Sequence, residues 1–292
     1  MIGEAACLSA ALCWAFAVIW FRRPIAEHGP WSVNLAKITL ATVFLGATAL
    51  ALGQGSSLGG ASNRDLLLIA GSGILGLTLG DTALFAAVDR LGAHRTLLFQ
   101  TFGPVFAAAL AFAVYDERLR AGQWLGAALV LVGVAVAVWT PDSGPGGAFS
   151  PAGAGLALLA AFGQGSGVVL VKDGMAELPV VAASFLRLGA AALGLALVMA
   201  VTGRLGRALR LARPGPALGR ILGPTLLGTY VAFLLMMAGI ALAPASVAAV
   251  LLATSPIFSL FVEAKVLGTP ITRNGLVGTV LAIAGVGLLS TL

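Results

Sequence analysis

The chain has 292 residues, of which 59% are hydrophobic and only 10% are charged, and its mean hydropathy is +1.03. Soluble domains carry roughly 25% charged residues, so this composition excludes a soluble globular protein and predicts an integral membrane protein. A net charge of +6 would suggest a nucleic-acid partner in a soluble protein. Here the cations fall between apolar runs, where they act as topology signals, and no nucleic-acid partner is expected.

The first apolar run is expected to stay in the protein. It opens with MIGEAAC, which carries an acid where a signal peptide has a basic segment, and the basic pair Arg22 and Arg23 follows the run. Cys7 and Cys13 lie six residues apart within it, which places them on different faces of one helix. We therefore expect neither a disulfide nor a metal site from these cysteines.

Ten apolar runs are near the 20 residues that cross about 30 Å of hydrocarbon. The runs are apolar all round, which predicts membrane-spanning helices, because barrel strands would be short and would alternate polar with apolar residues. The predicted spans are 2–21, 31–52, 66–88, 94–115, 121–139, 151–171, 180–202, 218–241, 244–265 and 275–291.

The chain contains one pattern twice. Pro256 lies 152 residues after Pro104, each in the middle of an apolar run, and Lys37 is echoed by Arg187 at a spacing of 150. Each half holds five predicted spans, and an odd number makes the second half enter the membrane from the opposite side. The predicted architecture is two inverted five-helix repeats, 1–140 and 151–292, joined by the Gly- and Pro-rich linker 141–150.

Basic residues between the spans predict the orientation. Eleven fall on connections that inversion places on one side, and four fall on the other side. The positive-inside rule puts the eleven in the cytoplasm and both termini outside. The eleven are Arg22, Arg23, Arg90, Arg95, Arg204, Arg207, Arg210, Arg213, Arg220, Lys265 and Arg273, and the four are Arg64, Arg118, Arg120 and Lys172.

Three ionisable residues fall inside the spans: Lys37, Asp81 and Arg187. Each costs about 2.5 to 3.5 kcal/mol at a helix centre, which makes each a functional candidate. The two cations could snorkel, hold a neighbouring helix end or meet an anionic substrate group. Asp81 could form a helix-to-helix hydrogen bond, contact a substrate amino group or carry a coupling proton. No cation lies one turn from Asp81, so its partner is expected from another helix, water or substrate.

Pro104 and Pro256 are predicted helix hinges, because each removes a backbone hydrogen bond in mid-span. A plain packing kink is the alternative. Polar side chains crowd both prolines and would line a cavity there: Gln100, Thr101, Thr254 and Ser255. Further cavity-lining candidates at span depth are Trp14, Thr78, Gln164 and Tyr230.

Sequence signatures of enzymes are missing. There is no Walker A sequence, no HExxH and no GxSxG, and His28 and His94 have no ligand partners at metal spacing. Asp81 and Asp116 superficially suggest an intramembrane aspartyl protease, but their motifs come in the reversed order. We therefore expect no catalytic residue, no metal and no cofactor. An intramembrane enzyme or an assembly subunit remains the non-transport alternative.

Three stretches carry a recognisable pattern: Leu12 to Ile19 with its tryptophan, Pro104 followed by YDERLRAGQWLGAALVLVGV, and Pro256 followed by NGLVGTVLAIAGVGLL. Together they resemble the ten-helix EamA-like branch of the drug/metabolite transporter superfamily. The second copy departs from the family pattern, since Thr269 and Pro270 replace the usual Glu and its neighbour.

The resemblance implies a central cavity, alternating access and export of small metabolites, with the third, fourth, eighth and ninth helices around the substrate. GDTALFAAVDRLGA looks most like bacterial inner-membrane exporters of amino acids, including aromatic ones. Drug or toxic-metabolite efflux and nucleotide-sugar exchange are the alternatives within transport. The family is described with cytoplasmic termini, which conflicts with the charge count. A duplicated chain can close its own pathway, so a monomer is expected.

Overall fold

The computed structural model describes residues 2–115, 121–138, 150–174, 178–211, 215–242, 251–268 and 270–289. These residues are helical, with short turns and no strand. The predicted linker 141–150 lies outside them except for Ser150, as do Arg118, Arg120 and Arg213. Helices of the first half are α1 (Ile2–His28), α2 (Pro30–Ala51), α3 (Asn63–Gly73), α4 (Asp81–Leu91), α5 (Ala93–Gln100), α6 (Gly103–Tyr115) and α7 (Ala121–Val138).

The second half repeats the main helices of the first. It has the α-helix Leu205–Leu211 where the first half has the 3-10 helix Gln54–Gly60, and the positions equivalent to α5 lie mostly outside the described residues. Its second helix has the same length as α2, 22 residues, and both begin after a glycine or proline. The helices are α8 (Pro151–Gly174), α9 (Val180–Val201), α10 (Leu205–Leu211), α11 (Pro216–Thr225), α12 (Ala232–Leu242), α13 (Ser255–Leu267) and α14 (Arg273–Leu289).

Six helical stretches in the described part of the chain are long and apolar enough to cross a membrane. Each coincides with a predicted span. Two shorter apolar helices, Trp124–Ala137 and Arg273–Leu288, lie at the predicted fifth and tenth spans. The six stretches are Ile2–His28, Pro30–Ala51, Asn63–Leu91, Pro151–Val171, Val180–Val201 and Pro216–Gly239.

The first helix is longer than its sequence predicted. We expected it to end at residue 21, before two arginines and a proline, but it runs on to His28. The Arg23 guanidinium donates to the Glu27 carboxylate one turn later, at 2.8 Å, which stabilises this last part of the helix. Gly29, with φ of 79°, then ends it.

Two π-helical segments interrupt the third and eighth spans. Ile74–Gly80 joins α3 to α4, and Leu226–Val231 joins α11 to α12. The two segments begin 152 residues apart, the same spacing as the two prolines. The sequence analysis did not predict them, because a π segment depends on hydrogen bonds to the fifth residue along, which hydropathy does not report.

The predicted hinges at the prolines are complete breaks. Helix α5 ends at Gln100 and α6 begins at Gly103, so Pro104 is the second residue of a new helix. Pro256 is likewise the second residue of α13. Proline is tolerated there because the amide of a first-turn residue has no helical acceptor.

Hydroxyl groups at the breaks donate to carbonyls of the preceding turn. Thr101 donates to the Leu98 carbonyl at 2.7 Å and Thr254 to the Leu251 carbonyl at 2.5 Å, and each of these carbonyls also accepts the backbone N–H of the same threonine. Ser255 donates to the Leu252 carbonyl at 3.0 Å, four residues before Pro256. At Pro256 a hydroxyl therefore bonds the carbonyl for which the proline has no amide donor.

The halves pack by exchanging helices. Helix α1 packs against α12 and α13 of the second half, and α8 packs against α3, α4 and α6 of the first half. Equivalent helices also meet in pairs, α2 with α9 and α7 with α14. Each half therefore buries its first helix in the other half, so the core is shared.

Glycines allow the third span to approach α8 closely. A Cβ on Gly163 would lie 2.6 Å from the Leu75 carbonyl, and one on Gly167 would lie 3.4 Å from the Gly76 Cα. The spaced glycine pairs of the two helices therefore face each other, as small residues do at helix crossings in membranes. Gly122 and Gly219 also stand four residues before another glycine, Gly126 and Gly223, but a Cβ on either would meet no atom within 4 Å.

Contacts at the helix ends show that α2 and α9 run antiparallel. The Arg204 guanidinium, just after α9, lies 5.9 Å from the ring of Trp31 at the start of α2. At the other end, Leu178 and Pro179 before α9 share a cavity of about 330 Å³ with the segment after α2. The cavity is lined by Ser57, Gly60, Ala61, Asp65, Leu178 and Pro179.

Candidate functional site

A buried ion pair lies in the middle of the bundle. Lys37 on α2 pairs with the Oδ2 atom of Asp81, and both side chains are 1% exposed. The amide of Gln164 on α8 donates to the other oxygen, Oδ1, at 2.5 Å. The two partners of Asp81 thus lie on other helices, Lys37 in the first half of the chain and Gln164 in the second. Lys37 does not snorkel, because its ammonium is enclosed.

Aromatic rings enclose the ammonium of Lys37. Its Nζ lies 4.7 Å from the centroid of the Phe85 ring and 6.0 Å from the centroid of Trp14. Ring faces attract a cation electrostatically, and the attraction is stronger away from water. Trp14 of α1 therefore lies at the site, while Phe85, one turn after Asp81, is a site residue that the sequence analysis missed.

Asn34 is a second missed residue. Its amide donates to the Leu77 carbonyl at 3.0 Å and to the Thr82 hydroxyl at 2.8 Å, which ties α2 to the π segment before Asp81. Asn34 precedes Lys37 by three residues and so lies on the same helix face. In the sequence, Asn34 could have been found as a polar residue three positions before a cation inside an apolar span.

Arg187, the equivalent of Lys37 in the second half, is buried and forms no ion pair with the residues that the structure describes. It is 2% exposed, and its guanidinium carbon lies 5.6 Å from the ring centroid of Phe233. A Cβ on Gly76 or on Gly167 would lie 3.2 Å from Nη2, so these glycines make room for the guanidinium. Its Nε is buried without an acceptor in the described residues.

Other predicted site residues bind helices to each other. The Thr78 hydroxyl donates to the Ala191 carbonyl at 2.8 Å, and the Tyr230 hydroxyl lies 2.7 Å from the Thr48 hydroxyl. Thr48 is eleven residues beyond Lys37 on α2, or about 16 Å along the helix. The structure thus brings together Trp14, Asp81 and Gln164 but not Tyr230.

Gln100 and the hydroxyls at the breaks form a separate group. The Gln100 amide lies 3.5 Å from the Ala157 carbonyl on α8, at the limit of a hydrogen bond. Thr101, Thr254 and Ser255 bond carbonyls of their own helices. Whether these residues line a substrate path stays a prediction.

A second polar contact connects the two broken helices. The Glu263 carboxylate on α13 accepts the backbone N–H of His94, at 3.0 Å, in the first turn of α5. The Nδ1 atom of His94 lies 3.1 Å from the Pro256 carbonyl and 3.3 Å from the Ser259 hydroxyl. The sequence analysis considered His94 only as a metal ligand and missed this connection.

The chemistry of the central site is that of charge recognition. One carboxylate and two cations lie within three helices and are closed off from water, where electrostatic interactions are strongest. No group of three or more potential metal-ligating side chains occurs among the described residues. The arrangement can bind small charged groups in exchange for its own internal contacts.

Comparison with known proteins identifies the family. The EamA-like transporter family matches residues 1–139 and again residues 151–291. The chain belongs to the EamA-like transporter family. It is therefore a multi-pass membrane protein of a transporter family, and its two halves are two copies of one family unit.

Similar proteins agree with this membership. An uncharacterized transporter of Archaeoglobus fulgidus is 27% identical over 181 residues, which span 62% of this EamA-like chain and 62% of that relative. A protein of known crystal structure matches 99% of this chain and 95% of its own with a TM-score of 0.68. Its sequence is 19% identical, so it shows the likeness of fold alone.

Proposed function

We propose that this EamA-like transporter is a secondary carrier or uniporter that exports amino acids, aromatic ones included, and related small metabolites across the bacterial inner membrane by alternating access. The family match supports transport. The substrate class rests on the central site, because an amino acid carries one ammonium and one carboxylate at neutral pH. The site offers one carboxylate, Asp81, and two buried cations, Lys37 and Arg187.

The observation that carries this proposal is the double bonding of Asp81. Its two oxygens are bound by Lys37 of the first half and Gln164 of the second half. A substrate ammonium that replaces the Lys37 ammonium keeps Asp81 paired with a cation. Binding of substrate then loosens the contact between α2 and α4 within the first half, while Gln164 still joins Asp81 to the second half. Occupancy of the site therefore changes how the surrounding helices are held together.

The inverted arrangement of repeats 1–140 and 151–292 is part of the proposal. It is supported by the antiparallel packing of the equivalent helices α2 and α9, whose following segments lie at opposite ends of the bundle. The matching π segments and helix breaks support the same symmetry. Two related halves that pack around one site give inward-open and outward-open states of similar energy.

In this proposal the breaks at Pro104 and Pro256 are the hinges. The third, fourth, eighth and ninth spans move around the central site, which is closed to both sides in the present conformation. Since the two repeats complete one pathway within a single chain, the protein acts as a monomer in the bilayer.

The test is uptake of radiolabelled amino acids into liposomes that hold the purified protein, with and without an imposed pH gradient. Saturable flux is expected for the wild type. Asp81→Asn is expected to abolish it, whereas the exposed Asp89→Asn, on the same helix, is the matched control and should transport normally. Flux that requires the gradient makes Asp81 a coupling carboxylate, and flux without it supports a facilitative carrier.

A second variant guards against simple misfolding. Lys37→Met combined with Asp81→Asn removes both charges of the pair and is expected to fold but not to transport. Absence of flux for every amino acid in the wild type would contradict the substrate class. Drugs and nucleotide sugars would then be tested in the same liposomes, as the two other substrate classes considered for such a carrier.

A further inference from the structure

Arg187 presents a problem that the rest of the core does not. No hydrogen bond or ion pair joins its guanidinium to any residue that the structure describes, although the side chain is 2% exposed. Asp81 is close enough to attract it electrostatically. However, both oxygens of Asp81 are already bound by Lys37 and Gln164.

Comparison of the two halves shows what is missing. Lys37 and Arg187 are equivalent, and the position equivalent to Asp81, 152 residues later, is Phe233. The first half therefore supplies its cation with a carboxylate, and the second half supplies an aromatic ring 5.6 Å from the guanidinium carbon. A ring face offers a weaker contact than a carboxylate, and the buried Nε of the guanidinium has no acceptor among the described residues.

The unused donor of Arg187 suits a small anion. Gly76 and Gly167 lie against Nη2, and their lack of side chains is what admits the guanidinium at this depth. Its buried Nε has no acceptor among the described residues. A guanidinium presents a planar set of donors that matches the two oxygens of a carboxylate. An unpaired charge at this depth is costly, and an external anion would remove that cost.

We propose that Arg187 binds the carboxylate of the transported substrate, which supplies the counter-ion that Phe233 does not provide. This rests on the proposed function, because it makes the substrate an anion or a zwitterion. Asp81 then faces the ammonium of the same molecule, so the two halves recognise opposite ends of an amino acid. Once substrate is bound, the Arg187 guanidinium has a counter-ion and acts as a binding residue of the site.

The first experiment compares three probes that share one ring. They are phenylalanine, phenylalaninamide, which lacks the carboxylate, and 3-phenylpropionate, which lacks the ammonium. Equilibrium binding to the purified full chain is measured for the wild type, Arg187→Gln and Arg187→Lys. The exposed Arg210→Gln is the matched control. Arg187→Gln is expected to weaken phenylalanine and 3-phenylpropionate by about tenfold or more, and phenylalaninamide by less than about twofold.

The second experiment needs no ligand. Arg187→Met removes a buried charge that lacks a partner, so the ligand-free protein is expected to have a higher Tm than the wild type. A lower Tm would show that Arg187 stabilises the resting fold and would overturn the proposal. If Arg187→Gln weakens the binding of all three probes equally, or weakens the binding of none, the proposal is overturned as well.

The outcomes separate the two proposals. If the wild type binds phenylalanine and Arg187→Gln binds it equally well, amino-acid transport stands and the role of Arg187 fails. If the wild type binds only 3-phenylpropionate, and does so through Arg187, the role of Arg187 stands and the amino-acid class fails. If no probe binds, the amino-acid class fails and the Tm of Arg187→Met decides the role of Arg187.

Discussion

The ion pair of Lys37 and Asp81 shows how a membrane core tolerates charge. Burial of either charge alone would be costly, and here each is paired with the other, while Gln164 and Asn34 provide neutral hydrogen bonds around them. Such a pair contributes little net stability compared with apolar residues of the same volume. The presence of this ion pair is therefore better explained by a role in function than by a contribution to folding stability.

A double-mutant cycle tests the pair. Asp81→Asn leaves the Lys37 ammonium buried without a counter-ion and is expected to lower the free energy of unfolding by about 3 to 5 kcal/mol. Adding Lys37→Met should restore most of the loss. Unfolding of the purified protein in detergent measures the free energy of unfolding of the single and the double variant, with Asp89→Asn as the control. Additive effects of the two substitutions would contradict a direct interaction.

Phe233 offers a substitution that supplies the missing counter-ion. Phe233→Asp places a carboxylate beside Arg187, and this internal anion is expected to compete with a substrate carboxylate and reduce phenylalanine binding by about tenfold or more. Phe233→Leu keeps the site apolar and should bind nearly as well as the wild type. Equal binding by both variants, measured with labelled phenylalanine, would argue against an anion site at Arg187.

At the scale of elements, the breaks beside Pro104 and Pro256 distinguish the fourth and ninth spans from all others. At Pro104 two residues separate α5 from α6, and at Pro256 Thr254 directly precedes α13, where the Ser255 hydroxyl bonds the Leu252 carbonyl. The connection from His94 to Glu263 joins α5 to α13. In the proposed transport cycle, this connection transmits movement at one break to the other.

Replacing the hinge prolines should slow the transport cycle. Pro104→Ala with Pro256→Ala restores two amide donors and favours continuous helices, so the maximal rate of transport is expected to fall several-fold with little change in KM. Initial rates in liposomes measure both constants. Pro30→Ala, at the unbroken start of α2, is the control. An unchanged maximal rate would exclude a hinge role.

The glycine crossing between the third span and α8 sets the distance across the site. Gly163→Ala would put a Cβ 2.6 Å from the Leu75 carbonyl, so the helices must separate. We expect a loss of about 1 to 3 kcal/mol in the free energy of unfolding. Gly155→Ala, on the same helix but facing open space, should change it little. Thermal unfolding of the two variants decides between a tight crossing and a loose one.

At the scale of the whole molecule, the basic residues collect at one end. Arg220 bonds Glu27 at 2.6 Å, which joins the start of α11 to the end of α1. Arg204 packs on the ring of Trp31 nearby. Arg90 lies against the start of α8, since a Cβ on Gly153 would be 3.0 Å from the Arg90 Cβ. A concentration of cations at one end is typical of the cytoplasmic side of a membrane protein.

Labelling of single cysteines tests the inverted arrangement and the orientation together. Ser56→Cys and Arg207→Cys lie in equivalent segments of the two repeats, and both positions are exposed. With Cys7 and Cys13 replaced by Ala, a membrane-impermeant maleimide should label position 56 in intact cells and position 207 only after permeabilisation. The opposite pattern would keep the inversion and reverse the orientation. Labelling of both positions from one side would exclude the inversion.

The sequence by itself determined the membrane class, the positions of the apolar helices, the duplication and the family resemblance. All four are carried by local composition, by spacing or by short motifs such as those at Pro104 and Pro256. It also singled out Lys37, Asp81 and Arg187, because the cost of an ionisable group inside a membrane is independent of its neighbours. Helix ends such as His28 were less predictable, since they depend on side-chain contacts in the last turn.

Only the tertiary structure decided which of these residues meet. Lys37 lies 44 residues from Asp81, and Gln164 lies 83 residues from it, so no periodicity could pair them. The π segments and the complete helix breaks likewise depend on hydrogen bonds that hydropathy does not encode. A buried polar group takes its partner from whichever helix packing brings within bonding distance, and packing is a property of the whole chain.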